Sequence, residues 1–468
     1  MRVRILGQHV PASIAALALI EALLCFLAIY AAMCIRFQVG VSQLPKLVEE
    51  FGPLWPRGVA FSVIVVTSML AFGLYNSRQR PQLSAILARL LLALLAASSA
   101  IAVLFYVIPT QHLYRGVAAV AVVLSVCGVL AARLIFAHVA DEDIFKRRVL
   151  VYGTGYGAAA LTRLRHSMDN RAFAVVGFVQ PQGEERIVPS ERTLEPDGNL
   201  CALCERFGIT EVVVAMDDRR RGFPISELLD CRLAGVDVTE LVTFLERETG
   251  RVHINVLNPS WMIFGQGFRR DPLRLFSSRS LDLFSSLAVL VVALPAMIIT
   301  FLAIKLEDGW QAPALYRQAR VGLGGRMFKV LKFRSMHQDA ELNGAQWAQH
   351  ADPRVTHVGA IIRKLRIDEL PQVFNVLHGD MSFVGPRPER PEFVAQLAEK
   401  IPYYAQRHCV KPGITGWAQL CYPYGSSEND ALEKLQYDLY YIKNNSLLFD
   451  LAILIQTAEV VLFGKGAR

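Results

Sequence analysis

Four long apolar stretches fill most of the first 140 residues, at about 11–35, 57–75, 84–108 and 114–138. Each exceeds the roughly 18 residues that let a helix span the hydrocarbon core of a bilayer. Backbone groups in lipid must be bonded internally, so four membrane helices are the structure these stretches call for. The first follows Arg2 and Arg4 and begins like a secretory signal. Its apolar run exceeds the roughly 7–15 residues of a signal core, and further spans follow, so the sequence predicts a retained helix. Composition agrees: 53% of residues are hydrophobic and 19% charged, below the roughly 25% charged residues of soluble chains. Disorder, a collagen repeat and a small disulfide scaffold are excluded by the same figures.

Basic residues suggest the orientation. Arg2 and Arg4 precede the first span, Arg78, Arg80 and Arg89 lie between or just inside the second and third, and Arg133, Lys146, Arg147 and Arg148 accompany the end of the fourth. The opposite loops carry Arg36, Lys46 and Arg57, offset by Glu49 and Glu50, and then Arg115. The bias places the N-terminus and everything after residue 140 in the cytoplasm.

The 468 residues allow about three units, read here as 1–140, 141–265 and 275–468. In the second, strands alternate with helices, which predicts a Rossmann-like parallel sheet. Strands are expected at 147–152, 173–179, 211–215 and 236–238. The first is followed by Gly153-Thr-Gly155-Tyr-Gly157-Ala158 and a helix to about His166. That order suits a dinucleotide turn, but Gln180 stands where the ribose-binding acid belongs, so a structural or regulatory role is favoured and NAD is not expected. Cys201 and Cys204 form a C-x-x-C inside an expected helix; with no second pair, packing is the favoured reading.

A fifth apolar stretch, 281–304, contains Pro295 near its middle. A helix, a break at Pro295 and a second helix would enter and leave one leaflet, with Arg279 and Lys305 reaching headgroups on the same side. A kinked spanning helix is the competing reading. A last apolar segment, 447–463, is interrupted by Asp450, Gln456 and Glu459 and reads as an interfacial helix.

Between them the chain is basic. Arg317, Arg320, Arg326, Lys329, Lys332 and Arg334 are followed by Arg354, Arg363, Lys364 and Arg366, then by Arg387 and Arg390. The net charge of +8 fits nucleic acid, anionic lipid or phosphorylated small molecules. Aromatics for stacking bases are few here, which argues against nucleic acid. Prolines around Arg387 would pre-position its guanidinium for a phosphate. Among these cations stands Asp368-Glu369. The pair is compatible with plain ion pairing, or with a carboxylate that attacks phosphorus while its neighbour holds a divalent metal.

The motifs together resemble the bacterial polyprenyl-phosphate sugar-1-phosphate transferases. They are Arg279-Ser-Leu-Asp282, Arg320-Val-Gly322, Lys332-Phe-Arg334-Ser-Met336, Asp352-Pro-Arg354-Val-Thr356, Asp368-Glu369-Leu-Pro-Gln372, Gly379-Asp-Met-Ser-Phe-Val-Gly-Pro-Arg387-Pro and Lys411-Pro-Gly-Ile-Thr-Gly-Trp-Ala-Gln419. With the four spans and the Rossmann-like region, the resemblance extends to the long exopolysaccharide-initiating form. It implies a multi-pass protein of the bacterial inner membrane whose C-terminal α-rich catalytic domain is cytoplasmic and held by a re-entrant hairpin broken at Pro295. It implies transfer of a hexose-1-phosphate, glucose preferred, from a UDP-sugar to undecaprenyl phosphate, with release of UMP. Asp368 is then the nucleophile and Glu369 its partner at Mg²⁺, both lying at the metal, with Lys332, Arg334, Arg363 and Arg387 on phosphates. A homodimer would suit the long form. Two other readings remain: a membrane-anchored NAD-dependent sugar-nucleotide dehydratase or epimerase, and a non-enzymatic scaffold or sensor. The dehydratase needs Tyr-x-x-x-Lys, and no lysine here has a tyrosine four residues before it.

Overall fold

A computed structural model describes residues 2–5, 8–40, 49, 52–72, 74–75, 83–107, 114–139, 147–163, 173–195, 199–218, 222–257, 271–337, 354–422, 425 and 427–463. Lys46, Glu50, Arg78, Arg80, Lys146, His166 and Asp352 lie outside these residues. The chain forms two compact units, Met1–Thr249 and Gly250–Arg468.

The first unit opens with a two-stranded antiparallel pair, β1 (Arg2–Ile5) and β2 (Gln8–Pro11). The apolar stretches become α1 (Ala12–Phe37), α2 (Trp55–Ala71), α3 (Leu83–Val107) and α4 (Arg115–Val139). Among the described residues α1 and α4 are long and apolar enough to cross a membrane, whereas the apolar portions of α2 and α3 are shorter. Cys25, Ile29 and Met33 of α1 pack with Phe61, Val65 and Met69 of α2, Ala93 and Ala97 of α3, and Val117 and Ala121 of α4. Leu19, Leu23, Leu95, Val103 and Leu134 face outward. Arg133 does not stand free at the end of its span. It pairs with buried Glu21 at 2.7 Å, and Tyr75 donates to the same carboxylate. An ionised group inside a bundle needs such a partner to offset its desolvation.

The rest of this unit is a four-stranded parallel sheet in the order β4–β3–β5–β6, formed by β3 (Arg147–Tyr152), β4 (Phe173–Val179), β5 (Glu211–Val214) and β6 (Asp237–Glu240). Alternation with α5 (Tyr156–Arg163), α6 (Leu200–Arg206), α7 (Ile225–Leu233) and α8 (Leu241–Thr249) gives the expected Rossmann-like layering. Cys204 is buried in α6, and that burial pushes its thiol up to about 12. A thiol so far from ionising is a packing element, as its spacing suggested.

The second unit begins earlier than the sequence implies. Val252 donates to the Gln436 carbonyl at 3.0 Å, and Gly250 accepts from the Trp417 indole at 2.9 Å. Residues 250–257 therefore belong to this unit and not to the Rossmann-like one. Helix α9 (Pro272–Asp308) is a single 37-residue element with Pro295 inside it. The expected division into two helices at Pro295 is corrected: the proline removes one backbone bond without ending the helix.

The remaining elements are an antiparallel hairpin of β7 (Leu315–Val321) and β8 (Met327–Phe333), α10 (His357–Lys364), α11 (Gln372–His378), β9 (Ser382–Val384), α12 (Pro391–Lys400), β10 (Gly413–Thr415), α13 (Trp417–Cys421), α14 (Glu428–Asn444) and α15 (Leu447–Phe463). Val373, Val376, Met381, Phe383, Trp417, Leu435, Leu439, Phe449 and Ile453 form the core.

Helix α9 inverts the usual placement of several polar side chains, which turn inward while apolar ones cover its outer face. Asp282, Ser286, Met297, Thr300 and Ile304 are buried, and Val289, Leu290 and Ala293 pack on the core between them. These positions recur every three or four residues, so one stripe about 33 Å long faces the domain. Leu283, Phe284, Leu287, Val291, Val292, Ile298 and Ile299 point outward.

Both ends of α9 are tied to the same unit. Arg279 donates to the carbonyls of Val376 and Leu377 at 2.6 and 2.7 Å, and Lys305 to those of Trp310 and Ala312 at 2.7 and 2.6 Å. The expectation that these cations reach headgroups is corrected: peptide carbonyls, including the orphans at a helix C-terminus, hold them instead. Helix α15 shares the inversion. Leu447, Leu448 and Leu451 are exposed while Asp450 is buried and accepts from Arg274 at 2.6 Å. Asp450, one of the polar interruptions that suggested an interfacial helix, points into the protein.

Candidate active site

Asp368 and Glu369 lie on a short 3-10 turn, Ile367–Glu369, between α10 and α11. The turn is entered through Arg366 at φ 57, a left-handed backbone that reverses the chain after α10. Helix α10 is secured at its start: Thr356 accepts from the Gly359 N–H at 2.9 Å, and Glu307 of α9 accepts from the N–H groups of His357 and Val358 at 2.8 and 3.1 Å. Its last turn carries Arg363.

The two carboxylates have different surroundings. Glu369 Oε1 accepts from Lys332 Nζ of β8 and from Arg387 Nη2, each at 3.0 Å. Burial pushes its carboxyl up, but Arg387 and Lys332 outweigh burial and hold it well below the usual carboxylate range. No described residue donates a hydrogen bond to the Asp368 carboxylate. Burial and the adjacent Glu369 charge push Asp368 above its usual value, against Lys332, Arg363 and Arg387. One member of the pair is thus locked as an anion and the other is left available.

Arg387 follows β9 in the segment Gly385-Pro-Arg387-Pro. Its carbonyl accepts from Arg407 at 3.1 Å, and Arg407 is buried against Asp438 at 2.8 Å. Gly385 permits this path, because a Cβ there would lie 2.4 Å from the Lys411 carbonyl oxygen. Arg320, Lys332, Gln372 and Arg387 line a cleft walled by Val330, Pro388 and Gly413. Lys332 and Arg387, which hold the ionised Glu369, face this cleft together with Arg320, a set of cations suited to phosphate oxygens.

The structure brings Lys332, Arg387, Asp368 and Glu369 together, with Arg363 acting on Asp368 electrostatically. It does not bring in Arg334, which lies one residue past β8, where alternation ends. Arg334 is buried and pairs with Asp308 at the end of α9 at 2.5 Å. Gln372 in the cleft and Gln419, which accepts from Arg387 at 3.4 Å, were not singled out as binding residues. Their only sequence signal was membership of the ordered motifs.

The glycine turn of the Rossmann-like domain is filled by the chain itself. Asp217 accepts from the N–H groups of Tyr156 and Gly157 at 2.8 and 2.9 Å, and Glu184 from those of Thr154 and Asp217 at 2.7 and 2.8 Å. A Cβ on Gly155 would lie 2.1 Å from an Asp217 carboxylate oxygen, so the glycine is required by this contact.

Residues 273–464 match the bacterial sugar transferase family. A UDP-N-acetylgalactosamine-undecaprenyl-phosphate N-acetylgalactosaminephosphotransferase of Aeromonas hydrophila is 45% identical over 241 residues, 52% of this chain and 56% of that protein. An undecaprenyl-phosphate glucose phosphotransferase of Komagataeibacter xylinus is 33% identical over 329 residues, 69% of this chain and 60% of the relative. The chain thus spans less than two thirds of either. A UDP-glucose:undecaprenyl-phosphate glucose-1-phosphate transferase of Caulobacter vibrioides is 42% identical over 40% of this chain and 71% of its own length. The chain belongs to the bacterial sugar transferase family, the polyprenyl-phosphate sugar-1-phosphate transferases.

Proposed function

We propose that the protein transfers a hexose-1-phosphate from a UDP-sugar to undecaprenyl phosphate, as the first membrane step of exopolysaccharide synthesis. The observation that carries this reading is the division of labour between Asp368, which no described residue bonds, and Glu369, which Lys332 and Arg387 hold. An Asp368 oxygen attacks the β-phosphorus, the bond to the UMP oxygen breaks, and the sugar phosphate remains as an acyl phosphate. An oxygen of the lipid phosphate then attacks that phosphorus and returns the carboxylate. Lys332, Arg363 and Arg387 neutralise the phosphate charge throughout.

The donor set fits magnesium, which prefers hard oxygens and takes one or two carboxylates plus substrate phosphates. Asp368 and the second oxygen of Glu369 would hold it, and the bound ion supplies neutralisation of the leaving UMP. NAD has no place in this reading, because Asp217 and Glu184 already bond the turn that would bind it. Both ends of α9 are held by the catalytic unit and its outer face is apolar, which supports a helix lying along one face of the membrane, with the site at the cytoplasmic face of the inner membrane. A reporter fused after Lys305 must then report a cytoplasmic position.

UDP-glucose is the first donor to test. UDP-N-acetylgalactosamine, suggested by the name of the 45% relative, is the second. The decisive measurement is UMP release by full-length protein in nanodiscs with polyprenyl phosphate and Mg²⁺. Asp368→Asn must lose release by at least about 10³-fold; a wild-type rate in that variant sinks the assignment.

A further inference from the structure

The Arg279-Ser-Leu-Asp282 motif has no part in the chemistry described above, yet both of its charged side chains are committed to the catalytic fold. They lie three residues apart and therefore on one face of α9. Arg279 straddles the C-terminal carbonyls of α11, at Val376 and Leu377. Asp282 is 3% exposed, and its Oδ1 accepts both the Ser382 hydroxyl and the Phe383 N–H of β9, each at 2.8 Å.

Helix α11 starts three residues after Glu369, and β9 ends three residues before Arg387. A short turn through Gly379, whose φ is 98, joins the two. One face of α9 therefore grips both arms of the segment whose outer ends carry Glu369 and Arg387. The geometry points to Arg279 and Asp282 as positioning residues: a clamp by which the membrane-facing helix sets the approach of Arg387 to Glu369, and so the width of the phosphate cleft. This inference rests on the reading of the cleft as the diphosphate site.

The clamp acts through Arg387, so its loss must appear in donor binding and must vanish when Arg387 is already gone. The experiment measures KM for the UDP-sugar and kcat for UMP release, with the full-length protein in nanodiscs. Asp282→Ala is expected to raise KM about tenfold with a smaller fall in kcat. Asp282→Asn keeps the accepting oxygen and should restore KM to within about twofold of wild type. In an Arg387→Ala background, Asp282→Ala should raise KM no further.

An unchanged KM in Asp282→Ala overturns the clamp, and so does a KM increase that multiplies with that of Arg387→Ala. Should Asp282→Ala fail to fold, Arg279→Lys, which can bond one carbonyl in place of two, serves in the same cycle with the same criterion. Asp368→Asn, run alongside, separates the two levels. If it stays inactive while the cycle is additive, only the clamp falls. If it is active, the reading of the site falls first.

Discussion

The two glycine-marked turns of this chain treat negative charge in opposite ways. After β3, backbone N–H groups are closed by the carboxylates of Asp217 and Glu184, so the charge is internal. After β9, a glycine and two prolines hold Arg387 against Glu369 while Asp368 is left open, so the positive side has capacity to spare. Backbone donors offer only partial charge and can be satisfied by one carboxylate. Guanidinium and ammonium groups around a single carboxylate still attract a further anion.

Several measurements can break or sharpen this contrast. After Asp368→Asn, the largest effect is expected for Glu369→Gln, which deprives Lys332 and Arg387 of their shared partner. UMP release should fall by about 10²–10³-fold, the scale for removing one preorganised electrostatic contact. A drop below tenfold would make Glu369 a spectator.

Arg334→Ala comes next. It leaves Asp308 unpaired at the end of α9, so denaturation should show a loss of about 2 kcal/mol. KM for the UDP-sugar should stay within twofold, since Arg334 is not in the cleft; a large KM change would return it to the phosphate site.

The paired substitutions Asp217→Ala and Asp368→Asn should move stability in opposite directions. Losing Asp217 uncovers the N–H groups at the start of α5 and costs about 1 kcal/mol, as for a lost cap, with UMP release unchanged. Asp368 is pushed above its usual value by burial and Glu369, so its ionised form is disfavoured by folding. Its contribution is greatest when protonated and is lost as pH rises through the raised value. At neutral pH Asp368→Asn should therefore gain up to about 1 kcal/mol. A loss in that variant would contradict a carboxylate disfavoured by burial and by the Glu369 charge.

The smallest effect concerns pH. Glu369 is held so low that its contribution, present above the ordinary carboxylate pKa of about 4.3, persists through acid solution. The acid limb of the rate profile then belongs to Asp368. Arg363→Ala, which removes a nearby cation, should move that limb to higher pH, and rates measured across the acid range would show it. A limb that stays in place excludes Arg363 from the neighbourhood of Asp368.

Element type was legible wherever periodicity was long. The four N-terminal helices and the β3-to-β6 alternation lie within a few residues of where hydropathy puts them. The grouping of Lys332, Glu369 and Arg387 was legible because the ordered motifs that carry them fall in one basic region. Arg334 was grouped with Lys332 through their shared motif; it lies one residue past β8 and is buried against Asp308, a contact 26 residues back in the chain that the motif does not register. Arg279 and Lys305 were misread because hydropathy registers where a cation stands and not which carbonyls face it. Asp217 was invisible: it is 60 residues from the glycine turn that it closes.

The inward stripe of α9 fixes the length of that helix in whole turns. Asp282 and Ser286 before Pro295 and Met297, Thr300 and Ile304 after it share one face only because the residue count between them keeps phase. One residue inserted near Pro295 would rotate everything beyond it by about 100°. That would turn Glu307 away from α10 and Asp308 away from Arg334, and present Thr300 to the surrounding medium. Insertions of seven residues keep the phase to within about 20°. The spacing between Arg279 and Glu307 is thus as much a part of the active site as the acids it holds in place.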